Sequence, residues 1–330
     1  MSHYLITGAA GFIAARVSQM LLDAGHTVTG VDNLNDAYDP RMKTHRLGLL
    51  TPVKGFRFIG MDISHRDAVA SLGGALPRGQ AQPFDGIINL AARAGVRASV
   101  ENPWVYVDTN MTGTLNLLEL CKAHSIPKLI LASTSSIYGN DAPLPTPETA
   151  DSSHPLQAYA ASKKGAEALS HAYHSLFGID VSVLRFFTVY GPAGRPDMSI
   201  FRFVRGIIEG EPIQLNGDGT QSRGFTYVDD IARGVILALK PVGYEIFNLG
   251  GHENITMNAL IALIEGQVGR TAIIERHPFP AADMAANLAD VRKAGELLGW
   301  EAQVGLEEGI ARTIAWYRAE RGWARELKVS

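Results

Sequence analysis

The sequence predicts an α/β protein: a doubly wound parallel sheet with a smaller mixed α/β lobe toward the C-terminal end. Three observations lead to that expectation. Short apolar runs alternate with helical patterns through most of the chain, the first run breaks into a glycine turn, and a later one breaks into a row of hydroxyls. Strands separated by helices cross over and lie parallel, which gathers ligands at their carboxyl ends. The 330 residues, 46% hydrophobic and 19% charged, suffice for two lobes. The expected division is 1–187 with a returning segment about 225–250, and 188–330.

His3-Tyr4-Leu5-Ile6-Thr7 reads as a buried strand. It runs into Gly8-Ala9-Ala10-Gly11-Phe12-Ile13-Ala14, an amphipathic helix through Leu22, and the helix stop Gly25. Thr27 to Val31 forms a second strand ending in Asp32. Strand, glycine turn, helix, strand, acid is the order of a dinucleotide-binding Rossmann unit. The glycines admit a pyrophosphate to the helix N-terminus, where Phe12 and Ile13 begin the first turn, and the acid accepts from the adenosine ribose hydroxyls. Ala14 stands at the third glycine position, where only a small side chain is needed. Asp32 favours NAD over NADP, because a 2′-phosphate would meet its carboxylate. Asn33 follows it, and Arg41 and Lys43 are expected in a solvated loop.

The alternation continues. Phe56 to Gly60 is a third strand, ending near Asp62 and Ile63, where the Asp is placed to meet the adenine amino group. Gly86 to Ala92 is a fourth; its end, Leu90-Ala91-Ala92, permits close approach to a cofactor. A helix from about Val105 to His124 carries Asn110, also expected at the cofactor.

Lys128 to Ala132 then leads into Ser133-Thr134-Ser135-Ser136. After a proline-rich loop, Ala158-Tyr159-Ala160-Ala161-Ser162-Lys163 opens a helix to about Phe177. Tyr159 and Lys163 stand four apart and project from one helical face. A free phenol titrates near pH ~10 and is a poor base at neutrality, but an ammonium held close favours the phenolate. A hydroxyl at the facing strand end, Thr134, can relay the proton. Tyr-x-x-x-Lys alone arises by chance in many helices. Its weight comes from the glycine turn, which lies at the same edge of the same predicted sheet.

Beyond the helix, Val181 to Phe187 reads as a strand and Thr188-Val189-Tyr190-Gly191-Pro192 opens a loop. Gly194 to Met198 leads to a helix ending at Gly210. Gly217-Asp218-Gly219 is a turn, Gln221 to Asp230 runs on into a helix, and Glu245 to Leu249 is a last sheet strand. The remainder reads as mostly helical around a loop from Pro278 to Asp283.

Composition narrows the class. A net charge of -3 provides no basic field for nucleic acid or an anionic membrane. Cys121 is the only cysteine, so no internal disulfide and no Cys-rich metal site is expected. No apolar run reaches spanning length and the N-terminus lacks a signal-peptide pattern, so the expected compartment is cytoplasmic.

With Gly8-x-x-Gly11, Tyr159-x-x-x-Lys163 and the hydroxyl-rich strand end in place, the chain resembles the extended short-chain dehydrogenase/reductases over nearly its full length. It is most similar to the nucleotide-sugar epimerases. Four stretches resemble the UDP-glucuronate 4-epimerase group: Val31 to Asp36, Ala91 to Arg97, Arg185 to Pro192, and Gly194-Arg195-Pro196-Asp197-Met198. The resemblance implies bound NAD, a UDP-sugar substrate and a homodimer. It makes Tyr159 the base, Lys163 its electrostatic partner and a clamp on the nicotinamide ribose, and Thr134 the relay. Ser135, Ser136 and Thr188 would line the sugar pocket, with Val189 toward the cofactor. Arg195 would lie on the sugar–diphosphate side, Arg97 would contact the substrate, Arg223 would clamp the diphosphate, and Asp283 would meet the uridine ribose.

Two departures fall on the nucleotide side. Arg223-Gly224-Phe225 stands where the family shows Arg-Asp-Phe, and Phe279 to Met284 replaces a loop that usually contains Gly-Asp-Val. The competing readings are a UDP-hexose 4-epimerase, a nucleotide-sugar dehydratase or decarboxylase, and a silent NAD-binding scaffold. Dehydratases and decarboxylases of the family carry an acid after the strand-end hydroxyl, where this chain has Ser135 and Ser136. The intact Thr134, Tyr159 and Lys163 set speaks against the scaffold.

Overall fold

A computed structural model describes residues 1–74, 82–251, 253–280 and 284–329. Its main sheet has seven strands: β1 (His3–Thr7), β2 (Thr27–Asp32), β3 (Phe56–Gly60), β4 (Gly86–Asn89), β5 (Lys128–Thr134), β6 (Asp180–Phe186) and β10 (Tyr244–Leu249). Their order is β10-β6-β5-β4-β1-β2-β3, and every pairing is parallel. The doubly wound expectation is met. The order reverses between β1 and β4, so a crevice opens where the chain leaves those two strands.

Helices cover both faces. Phe12–Asp23, Val228–Leu237 and Arg292–Leu298 lie on one side, sealing Val17, Leu21, Ile231, Val235 and Leu298 against Ile6, Ile88 and Phe247. On the other side, helices Gly113–His124 and Ala158–Phe177 bring Leu117, Leu118 and Ala166 against Leu5, Ile87, Leu129 and Val183. Strand β5 is buried along its whole length, as a central strand covered on both faces must be.

The expected helix from Val105 to His124 is interrupted. Trp104–Tyr106 passes into a widened, π-type turn at Val107–Thr112 before the regular helix resumes at Gly113. Asn110 lies in that turn, and such bulges occur frequently at functional sites. The fourth strand stops at Asn89, so Leu90 to Ala92 run free of the ladder. Lys43 is not in a solvated loop. Asp39 caps a helix, Pro40–Leu50, with Pro at its first position, and that helix buries Lys43.

The smaller lobe contains strands that do not stand out in the sequence. β7 (Thr188–Tyr190), β9 (Ser222–Tyr227) and β11 (Asn254–Thr256) form one mixed sheet, while β8 (Pro212–Asn216) pairs with β12 (Ile273–His277). Helices Ser199–Glu209, Met257–Val268 and Leu306–Ala324 surround them. Ile200, Phe201, Val204, Leu260, Ile264, Ile310 and Tyr317 form a core separate from those of the main sheet.

Candidate active site

The glycine turn is built for close approach. Gly8 has φ +70°, and a Cβ there would sit 2.9 Å from the Ala91 backbone, across the point where strand order reverses. A Cβ on Gly11 would meet the Gly8 carbonyl oxygen at 2.7 Å. Gly11 caps helix Phe12–Asp23 without a side-chain bond, which leaves the N–H groups of its first turn facing the crevice. At the end of β2 the Asp32 carboxylate accepts from Leu34 N at 2.7 Å and Ala10 N at 3.2 Å. Asp62, beyond β3, accepts from Asn33 and Ser64. These bonds hold its carboxyl below the usual range against the opposing effect of burial. A cradle that a single Cβ would fill, with two acids at the neighbouring strand ends, fits an adenine dinucleotide.

The cradle opens into one cavity of about 920 Å³. Gly8, Gly11, Phe12, Ile13, Asp32, Asn33, Asp62, Ile63, Leu90, Ala91, Ala92 and Val189 line it. Thr134, Ser135, Ser136, Tyr159, Lys163 and Thr188 line the same cavity, as do Arg97, Arg195 and Arg223. Asn110 does not. Its buried amide holds the backbone of Arg93 at 3.0 and 3.1 Å and the Ser162 hydroxyl at 2.9 Å, behind the wall, bracing the Arg93 segment against the helix of Tyr159. Asp283 falls outside the described residues.

Tyr159 and Lys163 line the same cavity from one helix. Burial pushes the Tyr159 phenol above its ordinary value, opposed by a hydrogen bond with Thr134 and by the positive charge of Arg195. Lys163 donates from Nζ to the Ala132 carbonyl at 2.9 Å. Burial lowers its ammonium to about 8, with Glu167 acting in the other direction. Arg195, from the smaller lobe, adds positive charge to the surroundings of the phenol. Thr134 also accepts from Ser136 N at 3.2 Å and donates to Ser136 Oγ at 3.2 Å, which fixes the hydroxyl row.

Arg195 forms a two-point bond with Asp197, Nε to Oδ1 at 3.0 Å and Nη2 to Oδ2 at 2.6 Å. Arg223 is supported by carbonyls: Met284 at 2.6 Å, Ser222 at 2.8 Å and Ala285 at 3.4 Å. Gly224 beside it admits no larger residue easily. A Cβ would lie 3.2 Å from the Gly251 oxygen and from Leu288, and its N–H bonds the Asn287 carbonyl at 2.8 Å. A close backbone approach thus stands at the position where the family shows the acid.

Several cavity residues were not foreseen: Tyr38, Lys43, Asp197, Arg202 and Asn287. Lys43 Nζ donates to Asn35 at 3.0 Å and lies 3.5 Å from the Asp32 carboxylate. The Asp39-Pro40 helix start was the signal that would have turned Lys43 inward. Asn287 Nδ2 donates to Ser135 Oγ at 3.0 Å across 152 positions, a pairing no local pattern announces.

The profile of the NAD dependent epimerase/dehydratase family matches residues 4–250. A UDP-glucuronate 4-epimerase of Thermodesulfobacterium geofontis is 52% identical over 330 residues, all of both chains. The structure of a UDP-glucuronic acid 4-epimerase from Bacillus cereus, in complex with UDP-glucuronic acid and NAD, superposes with a TM-score of 0.89. It is 34% identical, over 96% of this chain and 99% of that one. A UDP-glucose 4-epimerase of Thermotoga maritima, solved with UDP-glucose, gives 0.88 at 30% identity, over 97% and 99%.

Proposed function

The chain belongs to the NAD dependent epimerase/dehydratase family, and on that premise we propose that it is an NAD-dependent 4-epimerase interconverting UDP-glucuronate and UDP-galacturonate. One observation supports this most: the Tyr159–Thr134 pair opens onto the cavity that contains the glycine cradle. The relative of matching length and 52% identity sets the substrate.

Gly8, Gly11 and the first turn of helix Phe12–Asp23 would hold the pyrophosphate of NAD, with Asp32 on the ribose and Asp62 toward the adenine. When bound, NAD would supply the hydride acceptor and donor for sugar C4. Tyr159 takes the proton from the 4-hydroxyl oxygen and later gives it back, and Thr134 passes it on. Lys163, anchored on Ala132, keeps a positive group at the nicotinamide ribose side. Arg97, Arg195 and Arg223 secure the diphosphate as the tether about which the 4-keto sugar turns.

The 4-keto uronate is a β-keto acid and loses carbon dioxide readily. The protein must hold its carboxylate so that the bond at risk is poorly aligned with the ketone. Ser135, Ser136 and Thr188 offer hydroxyl donors there. The described acids lining the cavity are Asp32 and Asp62 at the adenosine side and Asp197, which is bonded to Arg195. None is placed to serve dehydration.

By this reading the lobes divide at 187/188, and the chain returns to the main sheet with helix Val228–Leu237 and strand β10, a little later than the expected 225, and again with helix Arg292–Leu298. A homodimer fits helices Gly113–His124 and Ala158–Phe177. Leu176 and Phe177 are exposed on the second of these, and Lys122 of the first lies 4.7 Å from the Phe177 ring, so the two share a surface. No helix among the described residues is long and apolar enough to cross a membrane, which agrees with a cytoplasmic enzyme.

The test is incubation with UDP-glucuronate, UDP-galacturonate and their neutral hexose counterparts, with products followed by NMR. Interconversion of the uronates ahead of the hexoses is expected. A kcat/KM for UDP-galactose at or above that for UDP-galacturonate would overturn the uronate assignment. Tyr159→Phe should lower turnover by at least ~10²-fold, the scale of a lost acid/base group.

A further inference from the structure

Helix Pro40–Leu50 delivers a cation to the adenosine end of the cofactor cradle. The Lys43 side chain is 7% exposed and lines the cavity, with its ammonium 3.5 Å from Asp32 Oδ1. Among the described residues its hydrogen-bond acceptor is neutral, Asn35 Oδ1 at 3.0 Å. That oxygen also accepts from Arg93 Nη1 and from Ala37 N, both at 3.1 Å. Three donors thus share one amide oxygen, while the ammonium has two further N–H groups to place.

Contacts from two directions fix the ammonium. Asn35 Nδ2 donates to Asn33 Oδ1 at 2.7 Å, and Asn33 Nδ2 donates to Asp62 Oδ2 at 2.7 Å. A ladder of amides therefore runs from the acid beyond β3 to Lys43. Leu34 turns this loop through the left-handed region, at φ +52°, and gives its N–H to Asp32. On the helix side, Met42 is fully buried in the core of the smaller lobe. Arg46, one turn beyond Lys43, donates to the Ala10 carbonyl at 3.2 Å, and Ala10 N donates to Asp32. The helix is docked on the glycine turn with Lys43 held beside the ribose acid.

Burying an ammonium against a neutral acceptor is costly, and an apolar side chain would fill that space more cheaply. The arrangement makes sense if the cation serves a ligand. A ribose diol both gives and accepts hydrogen bonds, so a carboxylate and an ammonium side by side suit it better than either alone. We propose that Lys43 is a cofactor-binding residue, donating to an adenosine ribose hydroxyl next to the Asp32 carboxylate. The same cation would meet a 2′-phosphate, so the exclusion of NADP rests on the Asp32 charge and not on the lack of a basic partner. This rests on reading the glycine turn as an NAD cradle, and adds to it a residue and the basis of its selectivity.

The competing role for Lys43 is purely structural, balancing Asp32 and tying the loop to the helix. Calorimetric titration of the full chain, stripped of cofactor, separates the two. The ligands are NAD, 2′-deoxyadenosine and 3′-deoxyadenosine analogues of NAD, and NADP. The proteins are the unmodified chain, Lys43→Met, Asp32→Asn and the double variant, with melting temperatures recorded.

Lys43→Met should weaken NAD binding by ~10-fold or more, the scale of a lost charge-assisted hydrogen bond. The loss should shrink to within ~3-fold for the analogue that lacks the contacted hydroxyl. Asp32→Asn should tighten NADP binding by at least ~10-fold, and adding Lys43→Met should remove that gain. Unchanged NAD affinity in Lys43→Met overturns the proposal. So does an equal loss with NAD and both analogues, which is what the structural role gives. The same holds if Asp32→Asn gains nothing for NADP, or if its gain survives in the double variant. Should Lys43→Met fail to fold, Lys43→Gln takes its place. An unmodified chain that binds no NAD sinks the cradle reading itself, whereas NAD bound equally by it and by Lys43→Met sinks this inference alone.

Discussion

Arg185 and Glu167 meet in a two-point ion pair directly beneath the reactive cluster, Nε to Oε1 at 3.0 Å and Nη2 to Oε2 at 2.8 Å, each side chain 2% exposed. Glu167 also accepts from Ser133 Oγ at 2.6 Å and stands one turn beyond Lys163, while Arg185 continues to the Tyr138 hydroxyl at 2.9 Å. The pair locks the hydroxyl strand end to the helix of Tyr159. Removing one partner strands the other charge in the core, at a cost of about 3–5 kcal/mol.

Glu167→Met and Arg185→Met are therefore each expected to lower the melting temperature by many degrees, and the Arg185→Met/Glu167→Met double variant to lower it less than either. Thermal unfolding of the three variants checks this. A fully additive double loss would mean that the pair is not coupled.

Lys163 leads to a prediction about pH. Burial holds its folded value near 8, below the 10.5 of the free side chain. Between those values the unfolded chain binds the extra proton, so stability rises with pH from about 8 to 10. Below about 8 both states are protonated, and the full penalty of the buried charge is present. The stability difference between the unmodified protein and Lys163→Met, both free of NAD, should thus shift in favour of the unmodified protein across that window. A flat difference in denaturant titrations would show that Lys163 is not desolvated.

Two glycines with similar backbone but different surroundings separate strain from cofactor fit. Gly8 (φ +70°) has the Ala91 backbone 2.9 Å from a hypothetical Cβ, while Gly25 (φ +82°) has nothing within 4 Å. Both alanine variants should lose about 1–2 kcal/mol to left-handed strain. The unmodified protein is expected to retain NAD through purification; Gly8→Ala should in addition release it, and Gly25→Ala should keep it. Nicotinamide nucleotide in the heat-released supernatant measures the difference, and equal retention would remove the glycine turn from the cofactor site.

What the sequence made legible follows from the range of each signal. Alternating β and α patterns, the glycine turn with Asp32, and the four-residue step from Tyr159 to Lys163 are local, and all appear where expected. Strands β7, β8, β9, β11 and β12 are short, lie in sheets only two or three strands wide and are rich in polar residues, so their periodicity is faint. The sidedness of Lys43 was hidden because a helix start was read as loop. Thr134 beside Tyr159 was legible from the hydroxyl row at the strand end, whereas Tyr106 and the charge of Arg195 reach the phenol only through tertiary packing.

Asn287 offers the sharpest test of the substrate. Its Nδ2 donates to Ser135 Oγ at 3.0 Å, it is largely buried, and its backbone carbonyl is held by Gly224 N at 2.8 Å, so the segment should tolerate an isosteric change. Asn287→Asp places a carboxylate next to the hydroxyls proposed to receive the uronate carboxylate. Two like charges about 4 Å apart at an effective dielectric near 20 repel by ~4 kcal/mol. Solvent entry and protonation reduce that, leaving a loss of ~10-fold or more for UDP-glucuronate. A neutral hydroxymethyl group at C6 meets no such repulsion. The ratio of kcat/KM for UDP-glucuronate to that for UDP-glucose should accordingly fall by at least ~10-fold in Asn287→Asp, and recover at low pH as the new acid is protonated. Equal losses on both substrates would place the C6 group elsewhere in the cavity and leave Ser135 without a role in choosing between them.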